Sequence, residues 1–463
     1  MLIATALSEF AGNLKYEAVP YAVVRRAKLL LLDAIGVAFA STRYGFAKKA
    51  LAGIRRFGEG DAVVIGSGCT LNLRDAALMN GMLVHGLDYD DTYLPGSVHL
   101  TSSSVPCALG VAAATGASGR ELLMGCIVGL ETGARIGLGG KGGFQQAGFH
   151  PTSTCGSLSS SLIAGRLYGL DVQQQTRALG IALSLASGSM QPMQDGSWTK
   201  RIHPGWAAGA GITAASMAGA GFIGPEAVFE GRFGFYTMFL GNQAANAEPA
   251  LITRGLGREW EFTRTSIKLF PACHQLHAFI NAAVRIASDH NVRAEDIESV
   301  QALVAQAAVP LICEPQEAKR RPDSSYLAQF SLPYAMASSL TRKRFGLNEL
   351  EEASYTDPGL VRLAEKVGYE IDPNSGYPKF RSGEIVVKMR DGRELRQREE
   401  ILPSEPASED SIVAKFMNNV STVMGQPRAD GLCAMILGIE DEPDSRRLAD
   451  ALARSDLPQS VSR

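Results

Sequence analysis

The sequence predicts a mostly α protein. A large all-helical domain is built from both chain ends, and a smaller α+β domain is inserted between them. Three observations carry that prediction. Residues 1–265 show one helical hydrophobic period after another. Strand-like alternation and a hairpin signal enter between 266 and 403, and helical spacing returns over 404–463. A length of 463 residues fits two or three domains at roughly 100–200 residues each.

The elements follow in order. YAVVRRAKLLLLDAIGVAFA (21–40) and LNLRDAALMNGMLVHGL (71–87) place apolar residues on one helical face. Ser118 and Glu121 spell a capping box for ELLMGCIVGLETGARIG, in which Glu131 and Arg135 stand four residues apart. Asp171 caps the helix of DVQQQTRALGIALSLAS. The charge-free run WAAGAGITAASMAGAGFIG (206–224) holds few large side chains, so it reads as a tightly packed core helix rather than a membrane span. Past 265, IESVQALV (297–304) is a strand, and QFSLPYAMASSL (329–340) is helical. GEIVVKMRDGRELRQRE (383–399) is a hairpin turning at Asp391-Gly392. LPSEPASED (402–410) is a linker, SIVAKFMNNVSTVMG (411–425) a helix, and the tail after about 455 is polar and frayed.

Composition excludes some classes. With 45 basic and 47 acidic residues the net charge is −2, against wholesale binding of nucleic acid or an anionic membrane. Seven cysteines without a C-x-x-C fit a reducing cytoplasm and give no zinc or iron–sulfur spacing. MLIATALSEF lacks the basic and apolar regions of a signal peptide. GLGGKG (137–142) matches G-x-G-x-x-G but follows a helix, whereas a dinucleotide fingerprint follows a strand.

The chemistry concentrates in HGLDYDDTY (85–93). Asp88, Asp90 and Asp91 admit three readings: ligands for Mg²⁺, a solvated helix end, or the polar wall of an active site. Their neighbours favour the wall. Thr92 adds a hydroxyl, and His99 lies just before a helix expected to start near Ser104, where free N–H groups suit an anion. Six of the seven histidines sit in polar or glycine-bordered segments: His85, His99, His150, His203, His274 and His277. A lone histidine is usually structural, but a set of this kind points to a shared site. Lys200, Arg201 and Lys268 supply positive charge nearby in sequence, suited to a polycarboxylate.

Taken together, HGLDYDDTY with the following VH, GFHPT, DGSWTKRIHPGWAA, EGRFGFY, KLFPACHQLH and QFSLPYAMA resemble the MmgE/PrpD family over about residues 5–455. That family includes 2-methylcitrate dehydratases, cis-aconitate decarboxylases and iminodisuccinate epimerase. The resemblance implies a helical domain with an inserted α+β lid, an active site in the cleft, a homodimer, and neither metal nor organic cofactor. It implies an enzyme, with dehydration of a 2-methylcitrate-like hydroxy-polycarboxylate as the first expectation. Decarboxylation, epimerisation and an inactive binding protein are the alternatives. Carried over residue by residue, Asp88 and Thr92 match the polar wall, and His99 its active-site histidine. His150 and Lys200 match the histidine of GFHP and the lysine after Trp-Thr. Lys268, His274 and His277 fall at the lid hinge, and Tyr334 matches a lid tyrosine. His99 and Lys200 are expected to share the proton work, with Asp88 orienting His99. His150, His274 and Lys268 are expected to bind substrate carboxylates. Cys273 stands where the decarboxylase branch carries histidine, which counts against that branch.

Overall fold

The computed structural model describes residues 1–195, 197–377, 379–402 and 407–453. The chain forms two compact units, Met1–Ile267 with Ala407–Arg463, and Lys268–Pro406. The fold is mostly α, with one four-stranded sheet and one two-stranded pair among the described residues.

The longer helices of the first unit are α1 (Ile3–Asn13), α2 (Tyr21–Ser41), α3 (Leu73–His85), α4 (Thr101–Thr115), α5 (Gly119–Gly139), α6 (Pro151–Leu167), α7 (Val172–Leu185) and α8 (His203–Gly219). Two helices from the other chain end, Glu409–Met424 and Gln426–Leu437, belong to the same unit. Their starts follow from sequence. Asn72 accepts the Asp75 N–H at the head of α3, and Asp171 with Gln174 closes a full capping box on α7. Pro151 and Pro204 occupy first turns, where a missing N–H costs nothing. Only half of the expected box forms at α5: Ser118 accepts the Glu121 N–H, while the Glu121 carboxylate bonds Arg166 at 3.2 Å.

Small residues decide how closely these helices approach. The charge-free run forms most of α8, which packs against α3, α6 and α7. A Cβ on Gly205 would lie 2.0 Å from the Leu78 carbonyl oxygen, and one on Gly81 would lie 2.4 Å from Gly205 Cα. A Cβ on Gly211 would fall 2.4 Å from Ser160 Cβ. The backbones of α3, α6 and α8 therefore touch, and only glycine permits it. Among the described residues one helix, α5, is long and apolar enough to cross a membrane, and 94% of that stretch is buried inside the protein. Its Glu131–Arg135 pair is fully buried. Arg135 donates to the carbonyls of Arg254 (2.6 Å) and Glu259 (2.8 Å), and Glu131 accepts the N–H groups of Glu261 and Phe262. A spacing that suggests a helix-surface pair is in fact a clamp on segment 251–262.

The second unit holds β3 (Ile297–Val304), β4 (Val367–Ile371), β5 (Arg381–Met389) and β6 (Glu394–Ile401) in the order β4-β3-β5-β6; β1 (Ala62–Val63) and β2 (Thr70–Leu71) form the small pair in the first unit. β3 runs parallel to β4 and antiparallel to β5, and β5–β6 is the expected hairpin, with Gly392 at φ 89° in its turn. The helix His277–Asp289 packs on β5 and β6, and Gly383 leaves room there for the ring of Phe279. The expected helix around Tyr334 spans Leu332–Arg342. Of the linker over 402–410, residues 403–406 lie outside the described residues, as does the tail from 454.

Candidate active site

Five stretches of the first unit converge. His85 ends α3, the loop after it carries Asp88, Asp90, Asp91 and Thr92, and His99 stands two residues before α4. His150 caps α6, while Lys200 lies in the short turn Trp198–Ile202 that leads into His203 and α8. The close crossing of α3 and α8 at Gly81 and Gly205 sets the stretch with Lys200 and His203 beside the first. Asp88 turns the loop with φ 49°, a left-handed conformation that aspartate tolerates better than most residues.

The three aspartates divide their work. Asp88 accepts a hydrogen bond from Lys200 Nζ at 2.9 Å. Asp90 bridges two imidazoles: Oδ2 is 2.8 Å from His85 Nδ1, and Oδ1 is 3.4 Å from His99 Nδ1. Asp91 accepts the N–H groups of Leu100 (3.0 Å) and Thr101 (3.1 Å) at the start of α4, which begins at Thr101 rather than near Ser104. The carboxylate at His99 Nδ1 is thus that of Asp90, whereas the sequence reading assigned that part to Asp88.

Hydrogen-bond chemistry fixes the tautomers. The Asp91 carbonyl oxygen, 2.7 Å from His99 Nδ1, only accepts, and so does the Asp90 carboxylate. The ring proton of neutral His99 therefore sits on Nδ1, and Nε2 carries a bare lone pair. The same reasoning puts the His85 proton on Nδ1, facing Asp90. The Nε2 of His85 is buried without a partner among the described residues. His150 and His203 share one hydrogen bond, Nδ1 to Nδ1 at 3.1 Å, in which one donates and the other accepts. The ring centroids of His85 lie 4.6 Å from those of His99 and 5.6 Å from those of His150.

Burial keeps most of these imidazoles neutral. It lowers His85 to about 4 in spite of the Asp90 carboxylate. Burial and the nearby Lys200 ammonium lower His203 to about 4 and hold His150 well below the ordinary range. Burial alone would raise the Asp90 carboxyl, but the imidazoles of His85 and His99 outweigh it and hold the group well below the usual range. Burial and the charge of Asp90 push Asp91 up.

Of the residues singled out in the sequence, Asp88, His99, His150 and Lys200 meet in this cluster. Thr92 is tied to it by backbone bonds to Ser266 (2.8 and 2.9 Å), and its hydroxyl is buried without a partner among the described residues. Lys268, His274, His277 and Tyr334 belong to the second unit. There the rings of His274 and His277 lie 4.6 Å apart, and His277 Nε2 donates to the Ala272 carbonyl at 3.3 Å. The Tyr334 hydroxyl is buried and bonds the Glu349 carbonyl.

Two family models match the chain, the MmgE/PrpD N-terminal domain over residues 5–248 and the MmgE/PrpD C-terminal domain over residues 270–438. The chain belongs to the MmgE/PrpD family. Among its similar relatives are the cis-aconitate decarboxylase-like protein oryM of Aspergillus oryzae, 25% identical over 96% of each chain, and the cis-aconitate decarboxylase of Aspergillus terreus, 25% identical over 97% of this chain and 96% of its own. The cis-aconitate decarboxylase of Homo sapiens is 26% identical over 95% of this chain and 92% of its own. Within this MmgE/PrpD chain the sequence reading gave His85, Asp90 and His203 no part in the chemistry, although it set the two histidines in the shared-site group and Asp90 in the polar wall. The signal for the first two was present: both lie inside the HGLDYDD stretch, five residues apart, and His85 was among the polar-bordered histidines.

Proposed function

We propose that the chain is a cofactor-independent lyase acting on a small polycarboxylate, and that it removes water from a hydroxy-polycarboxylate of the 2-methylcitrate type. One observation carries the reading: the proton of His99 is held on Nδ1, so Nε2 presents a lone pair in a buried site beside the Lys200–Asp88 pair. Nε2 takes the proton from the carbon beside a carboxylate, and that electron pair forms the double bond. The hydroxyl on the neighbouring carbon leaves with a proton from the Lys200 ammonium, as water. Asp88 holds Lys200 in place until then, and proton return from His99 to Lys200 through solvent resets the site. Negative charge builds on the substrate carboxylate during the first step, and preformed donors lower that barrier most. The imidazole of His150 is the proposed partner of a remaining carboxylate. A homodimer in the cytoplasm belongs to the same proposal and is checked by sedimentation equilibrium and cell fractionation.

Decarboxylation of a cis-aconitate-like acid is the second reading, favoured by the relatives in Aspergillus terreus and Homo sapiens, which are cis-aconitate decarboxylases. It would use the same site with CO₂ leaving in place of the proton, and the Lys200 ammonium giving a proton to the carbon, to be restored from solvent. The deciding experiment is an NMR turnover screen in D₂O with 2-methylcitrate, citrate, cis-aconitate, malate-type acids and iminodisuccinate. Loss of water from a hydroxy acid supports the first reading and loss of CO₂ the second. Deuterium wash-in without elimination points to epimerisation, and silence from a folded chain supports a binding role. With a substrate in hand, His99→Ala and Lys200→Ala are each expected to lower kcat by about 10²–10⁴-fold. Wild-type turnover in both variants would sink the mechanism.

A further inference from the structure

The mechanism uses one nitrogen of His99 and leaves His85 idle. Yet His85, His99 and His150 each offer a ring nitrogen, these atoms lie within 4.8 Å of one another, and all three side chains are buried. At every ring Nδ1 is engaged: on Asp90 for His85, on the Asp91 carbonyl and Asp90 for His99, and on His203 for His150. The nitrogen left on each ring is Nε2, and that of His85 has no partner among the described residues. A buried polar atom in that state calls for an explanation.

We propose that Nε2 of His85, His99 and His150 form a three-imidazole site for a divalent transition-metal ion of the Zn²⁺ class, with Asp90 as the carboxylate behind two of its ligands. Metal-bound histidine characteristically gives its other ring N–H to a carboxylate or carbonyl, which fixes the tautomer and raises ligand basicity. His85 and His99 already do so. The separation also suits the ion. One nitrogen of each ring lies within 4.8 Å of one nitrogen of the other two, and in a triangle with sides of that length each corner is about 2.8 Å from the centre, against a Zn–N bond of ~2.1 Å, so small ring movements close the site. The nearby Lys200 ammonium repels a cation, but Asp88 neutralises it at 2.9 Å. Borderline-soft ions take imidazole readily, whereas Mg²⁺ prefers oxygen. Three protein ligands leave a fourth position open to water or a substrate carboxylate.

Occupation removes the lone pair that the proposed proton transfer needs, so the ion acts as an inhibitor. That consequence rests on the proposed function, whereas binding itself does not. The test uses chelator-treated full chain, titrated with Zn²⁺ by calorimetry and with Co²⁺ by visible absorption, with Mg²⁺ as the control. One ion per chain is expected, with the intense d–d bands of four-coordinate Co²⁺ and no Mg²⁺ binding. His85→Gln and His150→Gln should each weaken binding by at least about 100-fold, and Asp90→Asn by about 10–100-fold. Turnover should fall with the same midpoint and return on adding chelator. If binding holds and turnover does not respond, the proton-transfer reading fails and the metal site stands. Absence of a bound ion at micromolar Zn²⁺ overturns the site, as does unchanged affinity in folded His85→Gln and His150→Gln. Should either variant fail to fold, zinc-soaked wild-type crystals decide: an anomalous peak among the three imidazoles supports the site, and a peak elsewhere or none overturns it.

Discussion

Asp90 touches two imidazoles at once, and this makes it the most sensitive carboxylate of the cluster. In Asp90→Asn the shape is kept and the charge is lost. The new amide presents an N–H as well as an oxygen, so it cannot face both rings as an acceptor. The Asp91 carbonyl still holds the His99 proton on Nδ1, but the negative charge that stabilises the imidazolium formed on proton transfer is gone. The expected outcome is a fall in kcat of about 10²-fold with KM changed much less, by analogy with the carboxylate that supports the imidazolium in the serine-protease triad. Steady-state kinetics check it, and an unchanged kcat would mean that Asp90 only fills space. The sequence showed that HGLDYDDTY carries chemistry, because three carboxylates in four positions oppose stability unless something holds them. It did not show which carboxylate faces which partner. That depends on the left-handed turn at Asp88, a backbone choice that aspartate permits but does not dictate. The pairing of Asp90 with both His85 and His99 follows from that turn and was invisible in spacing alone.

At the scale of elements, the glycines of α3 and α8 set the geometry of the site. Gly205→Ala gains up to about 1 kcal/mol of helix propensity. Against this, its Cβ would meet the Leu78 carbonyl at 2.0 Å, a backbone atom that moves only if the helix moves. Overpacking of this kind costs about 1–3 kcal/mol, so the net effect is destabilising. The shift also carries Lys200 and His203 away from α3, and kcat should fall along with the midpoint of thermal unfolding. Gly53→Ala is the control: it lies in the helix Gly45–Ile54 with no atom within 4 Å of the added Cβ, and should leave both unchanged or raise the midpoint slightly. Helices, caps and the hairpin were legible because each is a local pattern. The start at Asp171, the strand Ile297–Val304 and the turn at Gly392 all follow from neighbours in sequence. Partnerships were less so. The Glu131–Arg135 spacing reads as a surface pair, and only the tertiary fold turns it into a buried clamp on carbonyls more than a hundred residues away.

At the scale of the whole first unit, one side chain ties the returning chain end to the site. Lys415, in the helix Glu409–Met424, reaches Asp33 of α2 at 2.6 Å and the carbonyl of Tyr89 at 2.8 Å, between Asp88 and Asp90. Its ammonium also lies 3.8 Å from the centre of the Tyr89 ring. Asp33 is fully buried, and burial raises its carboxyl to about 6, with Lys415 opposing and the charges of Asp91 and Asp90 adding to the rise; Arg26 is the other cation near Asp33 and Asp91. The sign follows from linkage. A carboxyl raised above its unfolded value of 3.8 binds its proton more tightly in the folded state. That contribution to stability is fully present below the unfolded value and is lost as pH rises through about 6, a change of about 3 kcal/mol for this shift. Lys415→Met removes the force that holds the carboxyl down, so Asp33 rises further and the loss at alkaline pH deepens. The variant is expected to be about 3–5 kcal/mol less stable than wild type at pH 8, where a buried carboxylate is left without its cation. At pH 5 the carboxyl is mostly protonated in both proteins, and the loss is chiefly that of the bond to the Tyr89 carbonyl and the contact with its ring, worth about 1–3 kcal/mol. Urea denaturation of both proteins at the two pH values gives the difference, in which groups common to both cancel. A destabilisation equal at pH 5 and pH 8 would mean that the Asp33 charge does not couple to Lys415. A larger one at pH 8, with a lower kcat, would mean that the chain's far end holds the aspartate loop in its working shape.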